Sequence, residues 1–195
     1  MHPRRLAAFL VGVWLSCSVF MGWVATNNLT SVPDIVHYPG ARMEAEVKEL
    51  GAQRTEVLLR FHSAELNRFY FRWWERFQVP LGIALAALLL FSTNGNRLIM
   101  TLATGMVAMV IAQHLVLSPQ ILEMGRSLDF VPPGEITKER TAFRTYHGYY
   151  STLEVLKLGM GLGLAVRLMY SSKERPRRSR SSRKAAEPAV TNSAS

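Results

Sequence analysis

Residues 6–26 read LAAFLVGVWLSCSVFMGWVAT, 21 consecutive residues without a charge. At about 1.5 Å per residue a helix of this length spans the hydrocarbon core of a bilayer, about 30 Å. Arg4 and Arg5 precede it, which is also how a secretory signal begins. The run is too long for a signal, however, and no small-x-small cleavage pattern stands around Ala25. The stretch therefore predicts an uncleaved transmembrane helix. Ala8, Gly12 and Ser16 recur every four residues within it, a small-residue stripe that would admit a close neighbour. Cys17 is the only cysteine, which excludes an internal disulfide and a cysteine zinc site, and it reads as a small buried apolar residue. Trp14 occupies the place where a lipoprotein signal carries Leu.

Working outward, three further stretches are apolar and uncharged or almost so: 77–93, 98–118 and 148–170. The first is entered through Arg72, Trp73, Trp74 and Arg76, an interfacial belt of aromatic and basic residues, with Pro80 as a candidate kink. Asn94-Gly95-Asn96-Arg97 is a tight turn, so spans two and three are predicted to be antiparallel neighbours. Span three offers Thr104, Ala108 and Ala112 four apart and ends at Pro119. Thr137 is placed to cap the helix that becomes span four, where Gly159 and Gly163 form a GxxxG face. That face reads as ordinary bundle packing in preference to a homodimer motif, although an oligomer remains open.

Between the apolar stretches the chain changes character. Residues 27–40 hold Asn27, Asn28, Pro33, Pro39 and Gly40 and read as a loop, with a glycosylation sequon at Asn28 taken as chance. From Ala41 onward Met43, Val47 and Leu50 recur at helical spacing, with Glu44–Lys48 and Glu56–Arg60 as favourable pairs. One amphipathic helix is predicted to run from there through Phe69 into span two. Residues 120–136 read as a loop with a short helix. The predicted fold is thus all-α: a four-helix transmembrane bundle in residues 1–170, an extracytoplasmic amphipathic helix, and a disordered basic tail over 171–195.

The net charge of +9 is not spread over a face. Residues 27–76 carry seven basic and seven acidic residues, and 120–147 carry four of each. The excess lies in Arg4 and Arg5 and in the tail residues Lys173, Arg175, Arg177, Arg178, Arg180, Arg183 and Lys184. This argues against nucleic acid as a partner and for the bilayer, with anionic headgroups bound by the tail. By the positive-inside rule, Arg4, Arg5, Arg97 and the tail place both termini in the cytoplasm of a multi-pass cell-membrane protein, an inner membrane if the source is bacterial.

Trp14-Leu15, Glu65-Leu66-Asn67-Arg68-Phe69 ahead of the Trp pair, and Phe143-x-x-x-His147 carry a resemblance. Over about Arg4 to Leu168 the chain resembles the domain-of-unknown-function 4149 family, which is similar to the transmembrane protein 205-like proteins. The resemblance implies a four-helix membrane architecture, distantly similar to copper-resistance D-type proteins. Where the family follows its His with Ser and then Asn on one helical face, this chain has Tyr150 and Glu154.

No phosphate-binding loop, nucleophile elbow or HExxH motif occurs in the sequence. The informative residues are ionisable groups inside apolar stretches, each costly in a bilayer. His114 stands about 6 Å from the outer end of span three and Glu154 about 9 Å into span four. Gln113 is beside His114, Gln78 opens span two at the same level, and Lys157 follows Glu154 by a turn. These five, Gln78, Gln113, His114, Glu154 and Lys157, are expected to face the bundle interior as a polar cluster. A haem or copper reading would use His114 and His147, or His62 with Glu65, while a transporter would use Glu154 and Lys157. The favoured expectation is a non-enzymatic structural or interaction role without a cofactor.

Overall fold

The computed structural model describes residues 3–92, 96–132 and 134–170. The predicted tail lies outside them. Among the described residues the chain is helical, with no strand. Helix α1 spans Pro3–Thr30, α2 Val32–His37, α3 Ala41–Leu50, α4 Ala52–Ser92 and α5 Arg97–Ala112. A π-helical turn, Gln113–Leu117, joins α5 to α6, Ser118–Ser127, and α7 is Lys138–Tyr170. Three of these segments are long and apolar enough to cross a membrane: 3–37, 52–91 and 97–127. This is a helical membrane protein.

Helix α4 has 41 residues, about 60 Å of helix against a hydrocarbon core of about 30 Å. Its charges all fall in the first part, up to Arg76, and 77–92 carry none. Only the second part therefore suits lipid, and the first projects beyond it. The helix continues through Pro80 without a break.

The buried residues fall on steps of three and four. They are Ala7, Val11 and Trp14 on α1, and Leu81, Leu85 and Leu89 on α4. Helix α5 adds Ile99, Ala103, Met106 and Val110, and α7 adds Leu164 and Leu168. Helices α1 and α5 each pack on both α4 and α7. Three glycines make close approaches, and at Gly105 the neighbour is the flexible end of Met160, 2.5 Å from where a Cβ would lie. A Cβ on Gly82 would lie 2.9 Å from Val107 and 3.2 Å from the Trp14 ring, and one on Gly161 would lie 2.9 Å from Leu15. Asn67 Nδ2 donates to Ala25 O at 3.0 Å, so α1 and α4 run antiparallel from Trp14–Gly82 to Ala25–Asn67. The same reasoning, from Gly163–Leu102 to Gln113–Tyr150, makes α5 and α7 antiparallel. Pro3, Arg97 and Tyr170 thus share one end.

Several expectations are corrected. The 27–40 stretch is mostly helical, because Thr26 and Thr30 bond back to carbonyls of their own helix and Pro33 stands in the first turn of α2, where it is tolerated. The amphipathic helix is interrupted at Gly51, whose φ of 82° lies in the left-handed region that glycine adopts freely. Span three does not stop at Pro119, since a first-turn proline is accommodated in α6. Trp74 is buried in the core, whereas Trp73 is exposed under the Arg76 guanidinium, 5.8 Å from its ring, so the belt is Trp73 and not the pair. Of the small-residue stripes, only Ala8 and Gly163 reach the contacts. Gly12, Ser16, Thr104, Ala108, Ala112 and Gly159 are exposed, and a Cβ on Gly12 or Gly159 would meet nothing within 4 Å. On α1 the inner face belongs to Ala7, Val11 and Trp14 instead.

Candidate functional site

The inner stripes of three helices become polar at one level. On α4 the stripe Leu89, Leu85, Leu81 continues into Gln78 and Glu75. On α5 it continues from Val110 into Gln113, and on α7 from Gly161 into Lys157, Glu154 and Tyr150. Glu75, Gln78, Gln113, Tyr150 and Lys157 are all buried, while Glu154 and His114 are partly exposed.

The π turn shapes one wall. Pro119 lacks an N–H and its ring clashes with the carbonyl four residues earlier, so a regular α-helix ahead of it is disfavoured. The chain widens by one residue per turn, and Ser118 N–H bonds to Gln113 O. Gln113 stays on the inner face while His114 and Ser118 both reach Glu75 on α4.

Two linked groups result. In the first, Glu75 accepts hydrogen bonds from Tyr150 OH at 3.1 Å and from the Ser118 hydroxyl, and His114 Nδ1 lies 3.2 Å from its Oε2. The carboxylate stands between serine and imidazole, so the imidazole is not placed to take the serine proton and the three do not form a nucleophilic triad. In the second, Lys157 Nζ donates to Glu154 Oε1 at 2.7 Å and to Gln78 Oε1 at 2.8 Å. Gln113 joins the two, its Nε2 donating to Tyr150 O at 3.1 Å and to Glu154 Oε1 at 3.2 Å. Phe71 meets the Tyr150 ring edge-on at 6.0 Å and fixes its place.

Of the five residues singled out from sequence, the structure joins Gln78, Gln113, Glu154 and Lys157 directly. His114 does not touch that group and belongs to the Glu75 side. Glu75 itself escaped the sequence reading because it lies between Trp74 and Arg76, where a charged residue passes as part of an interfacial belt. A signal was present: Glu75 and Gln78 are three apart and continue the Leu81–Leu85–Leu89 stripe. Ser118 and the Tyr150 hydroxyl carried no signal in sequence.

The residues considered for a metal or haem are engaged elsewhere. His147 stacks on Phe143 at 5.6 Å, Glu65 pairs with Arg68, and His114 faces Glu75. His62 is exposed on α4. Among the described residues no three His, Cys, Asp or Glu side chains stand close enough to share a metal ion.

Outside this layer, Arg68 fastens the projecting part of α4 to α6 and the turn after it. It donates to Gly125 O at 2.9 Å and to both Asp129 oxygens, and also to Glu65. Burial opposes its charge, but the hydrogen bonds and charges of Asp129 and Glu65 outweigh burial, so its pKa is raised. Phe130 follows at a φ of 66° and stacks on Phe61 with ring centroids 4.8 Å apart.

The chain matches no protein-family model, no curated protein and no solved structure.

Proposed function

We propose that this chain is a four-span membrane protein without enzymatic activity, in which the polar layer clasps three spans together and the projecting helices serve interaction. The observation that carries the reading is the outward face of α7. From Gly148 to Val166 the exposed residues are Gly148, Tyr149, Ser151, Thr152, Val155, Leu156, Gly159, Leu162 and Val166, without a charge. Both charges of that stretch, Glu154 and Lys157, turn to the inner side and pair. They lower the average hydropathy of α7 without meeting lipid, so α7 suits a bilayer as a fourth span.

The shared end of Pro3, Arg97 and Tyr170 carries Arg4, Arg5, Arg97 and Arg167, which favours the cytoplasmic side. The projecting part of α4, with α2 and α3 packed on it, is then extracytoplasmic. A transporter is the less supported alternative, because the layer of Trp14, Gly82, Val107, Leu15, Gly161 and Met106 below Lys157 is apolar and tightly packed. The test is topology. A reporter fused after Ser195 is expected to read cytoplasmic and one inserted at Gly40 extracytoplasmic. Opposite readings at both sites would reverse the orientation, and like readings at both would exclude an even number of spans.

A further inference from the structure

The side chains of the polar layer do not balance in charge. They include two carboxylates, Glu75 and Glu154, and one ammonium, Lys157. Lys157 donates a hydrogen bond to Glu154, and its charge acts on Glu75 as well. Glu75 is 5% exposed, and among the described residues the one basic group within bonding distance of it is His114. The other groups around it are neutral or turned away. On its own helix, Arg72 donates to Arg68 O and Arg76 covers Trp73. On α7, Tyr150 donates a neutral hydroxyl to Glu75, and Glu154 adds a second negative charge nearby. Ser118 and Gln113 are neutral, Glu123 and Arg126 of α6 are exposed, and α1 carries no charge between Leu6 and Thr26. Two carboxylates that share one ammonium leave a net negative charge in the layer, and hydrogen bonds offset only part of its cost.

We propose that Glu75 and His114 together form a proton-binding site, open to one side of the protein only. One proton neutralises the layer whether it rests on the imidazole, giving an ion pair, or on the carboxyl, giving a neutral hydrogen bond, and it belongs to the pair. His114 is the port: its side chain is 42% exposed, against 7% for Glu75. The opposite direction is closed by the apolar packing around Gly82 and Gly161. The site therefore binds a proton and does not pass it on. The charge count does not depend on the number of spans, since α4, the π turn and α7 bury Glu75 within the chain itself.

The test uses the full chain in lipid nanodiscs at neutral pH, reading imidazole protonation by nitrogen NMR and carboxyl protonation by infrared spectroscopy. The wild type is expected to show either a protonated His114 or a protonated carboxyl that vanishes in Glu75→Gln. In Glu75→Gln, His114 loses the charge that holds its proton and becomes neutral. In His114→Gln the proton has only Glu75 left, so a protonated carboxyl is expected. If that variant does not fold, the loss in Glu75→Gln of whichever protonated signal the wild type shows, imidazolium or carboxyl, still reads the pair. In vesicles of uniform orientation, the signal should follow the pH on the His114 side and ignore the pH on the Arg97 side. A wild type with an ionised Glu75 and a neutral His114 overturns the proposal, and a response to the Arg97 side overturns its one-sidedness.

Discussion

Lys157 Nζ lies 2.7 Å from the Glu154 carboxylate one turn earlier on α7 and 2.8 Å from the Gln78 amide oxygen on α4. The lysine side chain is 2% exposed and that of Glu154 is 21% exposed. A stripe position that would otherwise hold leucine thus carries a charge tied to two helices. Glu154→Leu is expected to strand the ammonium and destabilise the protein by about 3 kcal/mol, the scale for breaking a buried pair from one side. Glu154→Leu with Lys157→Leu should recover most of the loss, but not all, because Gln78 and Gln113 also lose partners. Thermal unfolding in detergent compares the three proteins. A single variant as stable as the wild type would show that the pair contributes no clasp.

The glycines give a contrast between two positions on different helices. A Cβ on Gly82 must displace Val107 or the buried Trp14 ring, whereas one on Gly159 meets nothing. Gly82→Ala is expected to cost about 1–3 kcal/mol through overpacking. Gly159→Ala is expected to be neutral or to gain up to about 1 kcal/mol from helix propensity. Melting temperatures decide the matter, and the reverse order would mean that Gly159 faces a helix of another copy.

That contrast shows what a small-residue pattern can and cannot reveal. Spacing of four marks positions that share a face, but not which face is turned inward. Gly12, Ala108 and Gly159 share such faces with other small residues, yet bulkier neighbours win the interior because burying them removes more apolar surface from water or gives more packing contacts. Gly161 and Gly82 are needed where Leu15 and Trp14 press in, and that depends on partners far away in the chain.

Arg68 is the fastening between α4 and α6. Arg68→Ala should release Asp129 and Gly125 and loosen the turn at Phe130, costing about 2 kcal/mol. Arg68→Lys should recover only part, because an ammonium cannot reproduce the fork of donors that spans both acceptors. Limited proteolysis between Ser127 and Thr137 reads the loosening directly, and unchanged cleavage would mean that the turn is held without Arg68, by Phe61 on Phe130 and by Arg140 on the Val131 and Pro132 carbonyls.

The tail prediction rests on sequence. Residues 173–184 contain Lys173, Arg175, Arg177, Arg178, Arg180, Arg183 and Lys184 against Glu174, lie outside the described residues, and follow directly on α7. Each basic residue near an anionic membrane contributes about 1 kcal/mol. A peptide of this stretch is expected to bind anionic vesicles, to ignore neutral ones, and to dissociate as salt rises. Equal binding to both vesicle types would remove the electrostatic explanation.

The helical class and three of the apolar segments were legible in the sequence alone, because lipid-length apolar runs have few other uses and their charge-free limits are sharp. The expectation of a common depth for Gln78, Gln113, His114, Glu154 and Lys157 came from counting residues along antiparallel helices at a fixed rise, and the structure joins four of the five. Rotation about each helix axis is a different quantity. It follows from which neighbour packs where, and in the α5–α6 segment the π turn ahead of Pro119 shifts it. Only the tertiary structure therefore decided that His114 turns to Glu75 while Lys157 turns to Glu154 and Gln78. A carboxylate that passed as part of an interfacial belt is thereby drawn into the core, where burial, and not its place in the sequence, makes its charge costly.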